Sequence, residues 1–156
     1  MVLRVIGRVH TPFVEGAGTP IQPVYAPDAE GTVVVDEPFA AALDDLEGFE
    51  RLWLLFWMDR VVPFRPRVVP YRDTRERGLF ATRSPCRPNP IGLSVVRLVR
   101  REGRVLHVTG IDILNGTPLL DVKPYVPEFD AFPSSKAGWL DARGAERRVA
   151  DGRFHE

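Results

Sequence analysis

The residues best suited to chemistry fall in one short run, Arg83-Ser84-Pro85-Cys86-Arg87-Pro88-Asn89-Pro90-Ile91-Gly92. Prolines at 85, 88 and 90 each lock one backbone dihedral and restrict the residue before them. The run therefore has few conformations to lose, and it presents Arg83, Arg87 and Asn89 on a stiff frame. Pre-ordered polar side chains lower the entropic cost of binding, a common device of sites. The same pattern also describes a stiffened connection between strands with arginines on its wet side. A second run, Asp112 through Tyr125, places Asp121 and Lys123 two apart on one face of a strand, with Tyr125 continuing that face. A carboxylate, an ammonium and a phenol could supply acid–base and anion-binding groups. Alone they read equally as a surface ion pair worth under about 1 kcal/mol.

Other chemistries are missing. No G-x-G-x-x-G or G-x-x-x-x-G-K-[ST] occurs, so Rossmann and P-loop nucleotide sites are not expected. Nor is there a G-x-S-x-G elbow. One cysteine, Cys86, excludes an internal disulfide, and with three scattered histidines it argues against structural zinc. The longest apolar run, Leu52 to Met58, is far shorter than a membrane span, and Met1-Val2-Leu3-Arg4 does not open a signal peptide. A cytoplasmic protein with no metal and no membrane partner is the expectation.

The net charge of zero conceals an uneven distribution. Residues 1–59 carry a net charge of −7, residues 60–104 carry +9 with twelve arginines, and residues 105–156 carry −2. A basic middle third favours anionic partners such as phosphate or nucleic acid. It could also be a solvated surface paired with the acidic first third.

At 156 residues, 44% of them hydrophobic, one domain with its own core is expected. Leu3 to Val9 reads as a strand, residues 11–31 as a long Pro/Gly loop, and Thr32 to Val35 as a β-branched strand. Asp36-Glu37-Pro38 opens a short helix near 38–47, with Phe39, Leu43 and Leu46 on one face. Leu52 to Met58 is a core strand expected to be buried on both sides, with Trp53 and Phe56 on opposite faces. Strands are expected at Val68-Val69 and Leu79 to Thr82. A hairpin joins Ser94–Arg100 to Arg104–Gly110, and a second joins Ile111–Leu114 to Leu119–Val122 through Asn115-Gly116-Thr117-Pro118. The result is an all-β chain with one short helix: a small, mostly antiparallel barrel over residues 1–130 and an irregular tail over 131–156.

The motif Arg83-Ser84-Pro85 with Arg87-Pro88-Asn89-Pro90-Ile91-Gly92, followed by Asp112…Gly116-Thr117-Pro118…Asp121-Val122-Lys123-Pro124-Tyr125, resembles the signatures of TrmO-like (YaeB/TsaA-like) proteins. Ile6-Gly7…Thr11-Pro12-Phe13 and Leu46-Glu47-Gly48-Phe49…Leu52-Trp53 match the same family, so the resemblance covers about residues 3–130 in order. It implies a small β-barrel that binds S-adenosylmethionine without a Rossmann fold and works as a homodimer. The implied activity is N6-methylation of N6-threonylcarbamoyladenosine beside the tRNA anticodon. The sequence departs from the family pattern at Ile21, Asp59, Cys86 and Asn115.

Carried over from the resemblance, cofactor contacts would come from Gln22, Pro23, Asp59, Arg60, Arg83, Leu93, Asn115, Gly116 and Thr117. Arg87, Asn89 and Lys123 would hold the substrate's carboxylate and phosphates, for which guanidinium forks are well shaped. Asp121, with Tyr125 second, is the candidate base for an acceptor nitrogen made weakly nucleophilic by its carbonyl. The rival readings are a non-catalytic barrel that binds S-adenosylmethionine or RNA, and a methyltransferase for a small metabolite. Arg83–Leu93 and Asp112–Thr117 should line one pocket. Phe129, Phe132 and Trp139 of the tail should cover a neighbouring subunit in a symmetric dimer.

Overall fold

A computed structural model describes residues 2–142 and 147–156. Six strands close into an antiparallel barrel: β1 (Gly7–His10), β2 (Glu30–Val35), β3 (Arg51–Trp57), β6 (Ile91–Glu102), β7 (Val105–Thr109) and β8 (Pro118–Pro124). Their order around the barrel is β1-β2-β7-β6-β3-β8. A two-stranded ribbon of β4 (Arg67–Val68) and β5 (Arg77–Gly78) stands outside it. The antiparallel barrel read from turn spacing is the observed architecture.

Alternation sends one side chain in two to the interior. Val9, Val33, Leu52, Leu54, Val96 and Leu106 are fully buried there. The strand at 51–57 corrects one expectation. Leu52, Leu54 and Phe56 face the core, but Trp53, Leu55 and Trp57 are only half-buried. A closed barrel has a single interior, so the alternate face of β3 turns outward. Tyr125 covers part of it, its ring centroid 5.8 Å from that of Trp53.

Other expectations change locally. The first strand begins at Gly7, because before it only Ile6 is tied in, through its N–H to the Leu119 carbonyl at 2.9 Å. The short helix is a 3₁₀ helix, Glu37–Leu43, and Asp45 at φ 68° separates it from a second turn at Leu46–Gly48. Leu43 and Leu46 still reach the core, with Phe39 packed against it. Residues 79–81 form a 3₁₀ turn where a strand was expected. Residues 111–114 alternate as a strand would, with Ile111 and Ile113 buried, but they pair with no strand. Their backbone is held by the loop after β1: Thr11 Oγ1 donates to the Ile113 carbonyl at 2.7 Å, and the Asn115 N–H donates to the Phe13 carbonyl at 2.7 Å. β8 therefore pairs with β1 and β3.

A second, smaller core of Val68, Leu79, Cys86 and Phe154 supports the excursion between β3 and β6. Phe154 is 2% exposed and meets Tyr71 edge-on at 5.1 Å. The C-terminal segment thus folds back on its own chain through Phe154 and through bridges Pro20↔Val149 and Val61↔His155. Phe129 and Phe132 remain exposed. Among the described residues, no helix is long and apolar enough to cross a membrane, and no group of three His, Cys, Asp or Glu is placed to hold a metal ion.

Candidate functional site

The proline run is fastened at several points. Met58 N–H donates to the Pro90 carbonyl at 2.8 Å, hooking the run to the exit of β3. Arg87 folds over its own loop, with Nη1 donating to the carbonyls of Thr82 (3.0 Å) and Ser84 (3.3 Å). Cys86 is fully buried beneath, and desolvation pushes its thiol pKa up. Gly92 is required where β6 begins, because any side chain there would strike the Phe56 ring across the barrel wall.

The second segment approaches from the opposite side. Gly116 at φ 81° makes the turn that a side chain would strain. Arg60, just beyond β3, clamps this turn: Nη2 donates to the Asn115 carbonyl at 2.8 Å and to Thr117 Oγ1 at 3.2 Å. Thr117 Oγ1 in turn donates a hydrogen bond to the Leu114 carbonyl at 2.7 Å. Asn115 Oδ1 accepts from the Thr11 N–H at 3.1 Å, so its side chain shapes the loop.

Between the two segments lies a cavity of about 310 Å³. Gln22, Asp59, Arg60, Arg83, Leu93 and Thr117 all stand in its wall, with Arg87 beside them. Arg83 Nη1 donates to Gln22 Oε1 at 2.6 Å, bridging the first loop and the proline run. Phe56, Met58 and Ile113 give an apolar floor. The expected convergence of 83–93 with 112–117 is present.

The wall also contains groups to which the sequence assigned no role. Asp112 accepts from Ser94 Oγ at 2.6 Å, and Ser94 is 2% exposed. Burial raises the Asp112 pKa to about 6, against a lowering by the Ser94 hydrogen bond and the nearby Arg83 charge. The motif contained Asp112, but only its place opposite Ser94 reveals the environment. His155 and Ala150 close the cavity from the C-terminal segment. Burial and Arg60 lower the His155 pKa, and its Nδ1 is buried without a hydrogen-bond partner. No spacing in the chain connects residue 155 to this site.

Seven of the expected residues lie outside the cavity wall. Pro23 opens a 3₁₀ turn beyond Gln22, Asn89 is in the exposed bend of the proline run, and Asn115 and Gly116 serve the turn. Asp121, Lys123 and Tyr125 share the outer face of β8. Asp121 pairs in register with Leu55, which in turn pairs with Leu93 at the cavity's rim. Two strand spacings put Asp121 about 10 Å along that face from Leu93. Asp121 Oδ2 and Lys123 Nζ form an exposed ion pair at 3.0 Å.

The chain is similar to several known proteins in sequence and in structure. A probable S-adenosyl-L-methionine-binding protein of Pyrococcus abyssi is 48% identical over 97% of this chain and 83% of its own length. The Escherichia coli tRNA (adenine(37)-N6)-methyltransferase is 35% identical over 93% of this chain and 66% of its own. The crystal structure of TrmO from Pseudomonas aeruginosa superposes with a TM-score of 0.78 at 41% identity, covering 92% of this chain and 64% of that one. This chain thus spans about two thirds of the last two proteins. Residues 8–131, the barrel with both cavity-lining segments, match the tRNA-methyltransferase O N-terminal domain, and the chain belongs to that family.

Proposed function

We propose that this chain is an S-adenosyl-L-methionine-dependent methyltransferase that N6-methylates N6-threonylcarbamoyladenosine beside the tRNA anticodon, acting as a cytoplasmic homodimer. The observation that carries the reading is the pairing of guanidiniums and a half-buried carboxylate around one half-apolar cavity, in a member of this family.

The donor set suits the cofactor. Asp112 offers a negative charge to a cationic ligand group, and Arg83 and Gln22 offer polar contacts to a carboxylate. Phe56, Met58 and Leu93 give apolar surface for a ring or a methylene arm. When bound, the cofactor supplies an electrophilic methyl group on a positively charged sulfur. The chain's share of the reaction is to align the acceptor and remove its proton. Alignment alone can account for roughly 7–11 kcal/mol of a barrier.

Asp121, with Tyr125 second, is proposed to take the proton, and Arg87, Asn89 and Lys123 to hold the substrate's anionic groups. Asp121, Tyr125 and Lys123 reach a cavity if two chains meet through the outer face of β6, β3 and β8. That face exposes Ile91 and Leu93 at 41% and 50% and half-exposes Trp53, Leu55 and Trp57. A contiguous apolar patch flanking a cavity suits a self-complementary contact.

Mass spectrometry of nucleosides from tRNA incubated with protein and S-adenosylmethionine tests the reading. It predicts a mass gain of one methyl group on the threonylcarbamoylated nucleoside. Cofactor binding without any methylated nucleoside would favour a binding module.

A further inference from the structure

Beside the cofactor cavity lies a second one of about 450 Å³, which shares Ile21, Gln22, Tyr71 and Arg83 with it. Its character is different. Besides the shared Tyr71, three aromatic side chains, Tyr25, Phe80 and Trp139, stand in the wall together with Arg72 and Arg83, and among the described lining residues none is acidic.

Each ring is backed by a guanidinium. Arg87 lies 5.3 Å from the Phe80 centroid, Arg77 lies 5.4 Å from that of Trp139, and Arg148 lies 5.9 Å from that of Tyr25. The Trp139 indole is pinned, because Nε1 donates to the Ala81 carbonyl at 2.8 Å and Arg77 is itself anchored on buried Asp73 at 2.7 Å. Phe80 is 77% exposed, a high exposure for a large apolar ring. Arg72 Nη1 donates to the Tyr25 hydroxyl at 2.9 Å, while its buried Nε has no partner.

We propose that this groove receives an unstacked nucleobase of single-stranded RNA, with Phe80 and Trp139 as stacking surfaces and Arg72 and Arg83 facing the adjoining phosphate. Aromatic faces accept any base, and basic walls track the backbone. The shared wall at Gln22 and Arg83 makes the groove continuous with the cavity assigned to the cofactor, as an acceptor subsite must be. Trp139 lies outside residues 8–131, so this wall is added by the segment that follows the family domain. The proposal deepens the methyltransferase reading and rests on it for the groove's role, though not for its ligand.

The test uses fluorescence anisotropy of a labelled single-stranded oligoadenylate, with calorimetry of S-adenosylmethionine in parallel, at one fixed salt concentration. The variants are Phe80→Ala, Phe80→Tyr and Trp139→Ala. Phe80→Ala removes an exposed ring and should leave the melting temperature unchanged, which protects the test if Trp139→Ala loosens the C-terminal segment. Each alanine variant should weaken RNA binding roughly 5- to 100-fold. Phe80→Tyr should retain it, and cofactor affinity should stay within about two-fold throughout. Failure of the unaltered protein to bind the RNA, or affinity in both alanine variants equal to that of the unaltered protein, would overturn the groove. RNA binding that depends on Phe80, in a protein that does not bind S-adenosylmethionine, would support the groove and contradict the methyltransferase reading.

Discussion

The two halves of one motif behave differently. Asp112 to Thr117 turns inward and builds a cavity wall, whereas Asp121 to Tyr125 rides on the outer face of β8. Both halves carry a carboxylate. Asp112 is held against a buried hydroxyl and has its pKa raised to about 6, while Asp121 is partnered by an exposed ammonium at 3.0 Å. The pleat makes the difference. Val122 pairs with buried Leu54, which commits residues 121 and 123 to the outside. Residue type and spacing identify which side chains share a face, but the neighbouring strand decides where that face points.

The largest expected effect tests what the inner half leans on. Phe154→Ala removes the ring that closes the second core under the proline run, and a cost of about 3–5 kcal/mol is expected in denaturant unfolding. Cofactor affinity should fall with it, because Ala150 and His155 are carried by the same segment. An unchanged midpoint would mean that the cavity wall stands without the C-terminal segment.

Next is Asp112→Asn. A carboxyl whose folded pKa is raised opposes folding once it must ionise. The stability it contributes is therefore complete below its unfolded value and lost as pH rises from about 3.8 to about 6. The asparagine variant should be more stable than the parent at pH 8, by up to about 3 kcal/mol, and equal to it in strong acid. Binding should move the opposite way. S-adenosylmethionine affinity in the parent should weaken as pH drops through about 6, and the asparagine variant should be weaker and flat with pH. Calorimetry from pH 5 to pH 8 reads both slopes.

The smallest effect belongs to the outer half. Asp121→Ala breaks an exposed pair and should change stability by under about 1 kcal/mol. The cofactor dissociation constant should hold while the methyl-transfer rate falls, since the proposed base acts from a second chain. A fall in cofactor affinity would mean that the outer face contributes to the cavity directly.

Much of this was legible in the sequence. The hairpin at 91–109 and the stiff run at 83–92 follow from alternation, turn residues and prolines, all local signals. Residues 111–114 alternate as a strand does but lack a strand partner, because the loop carrying Thr11 and Phe13 takes their hydrogen bonds. The remaining site residues depended on distance along the chain. His155 meets Arg60, and Trp139 meets Ala81, only because the C-terminal segment folds back. The outward face of β3 is not legible in the sequence for a related reason, since an all-apolar run describes a two-sided core strand and a barrel strand with a sticky exterior equally well.

The central claim is that the inner wall, fastened by Arg83 and Gln22, holds S-adenosylmethionine. Titration calorimetry of the cofactor into the unaltered protein and into Arg83→Ala tests it most directly. Saturable binding is predicted in the first, weakened roughly 10- to 100-fold in the second, as expected for loss of a charged hydrogen-bonding group. Equal affinity in the two proteins would contradict it.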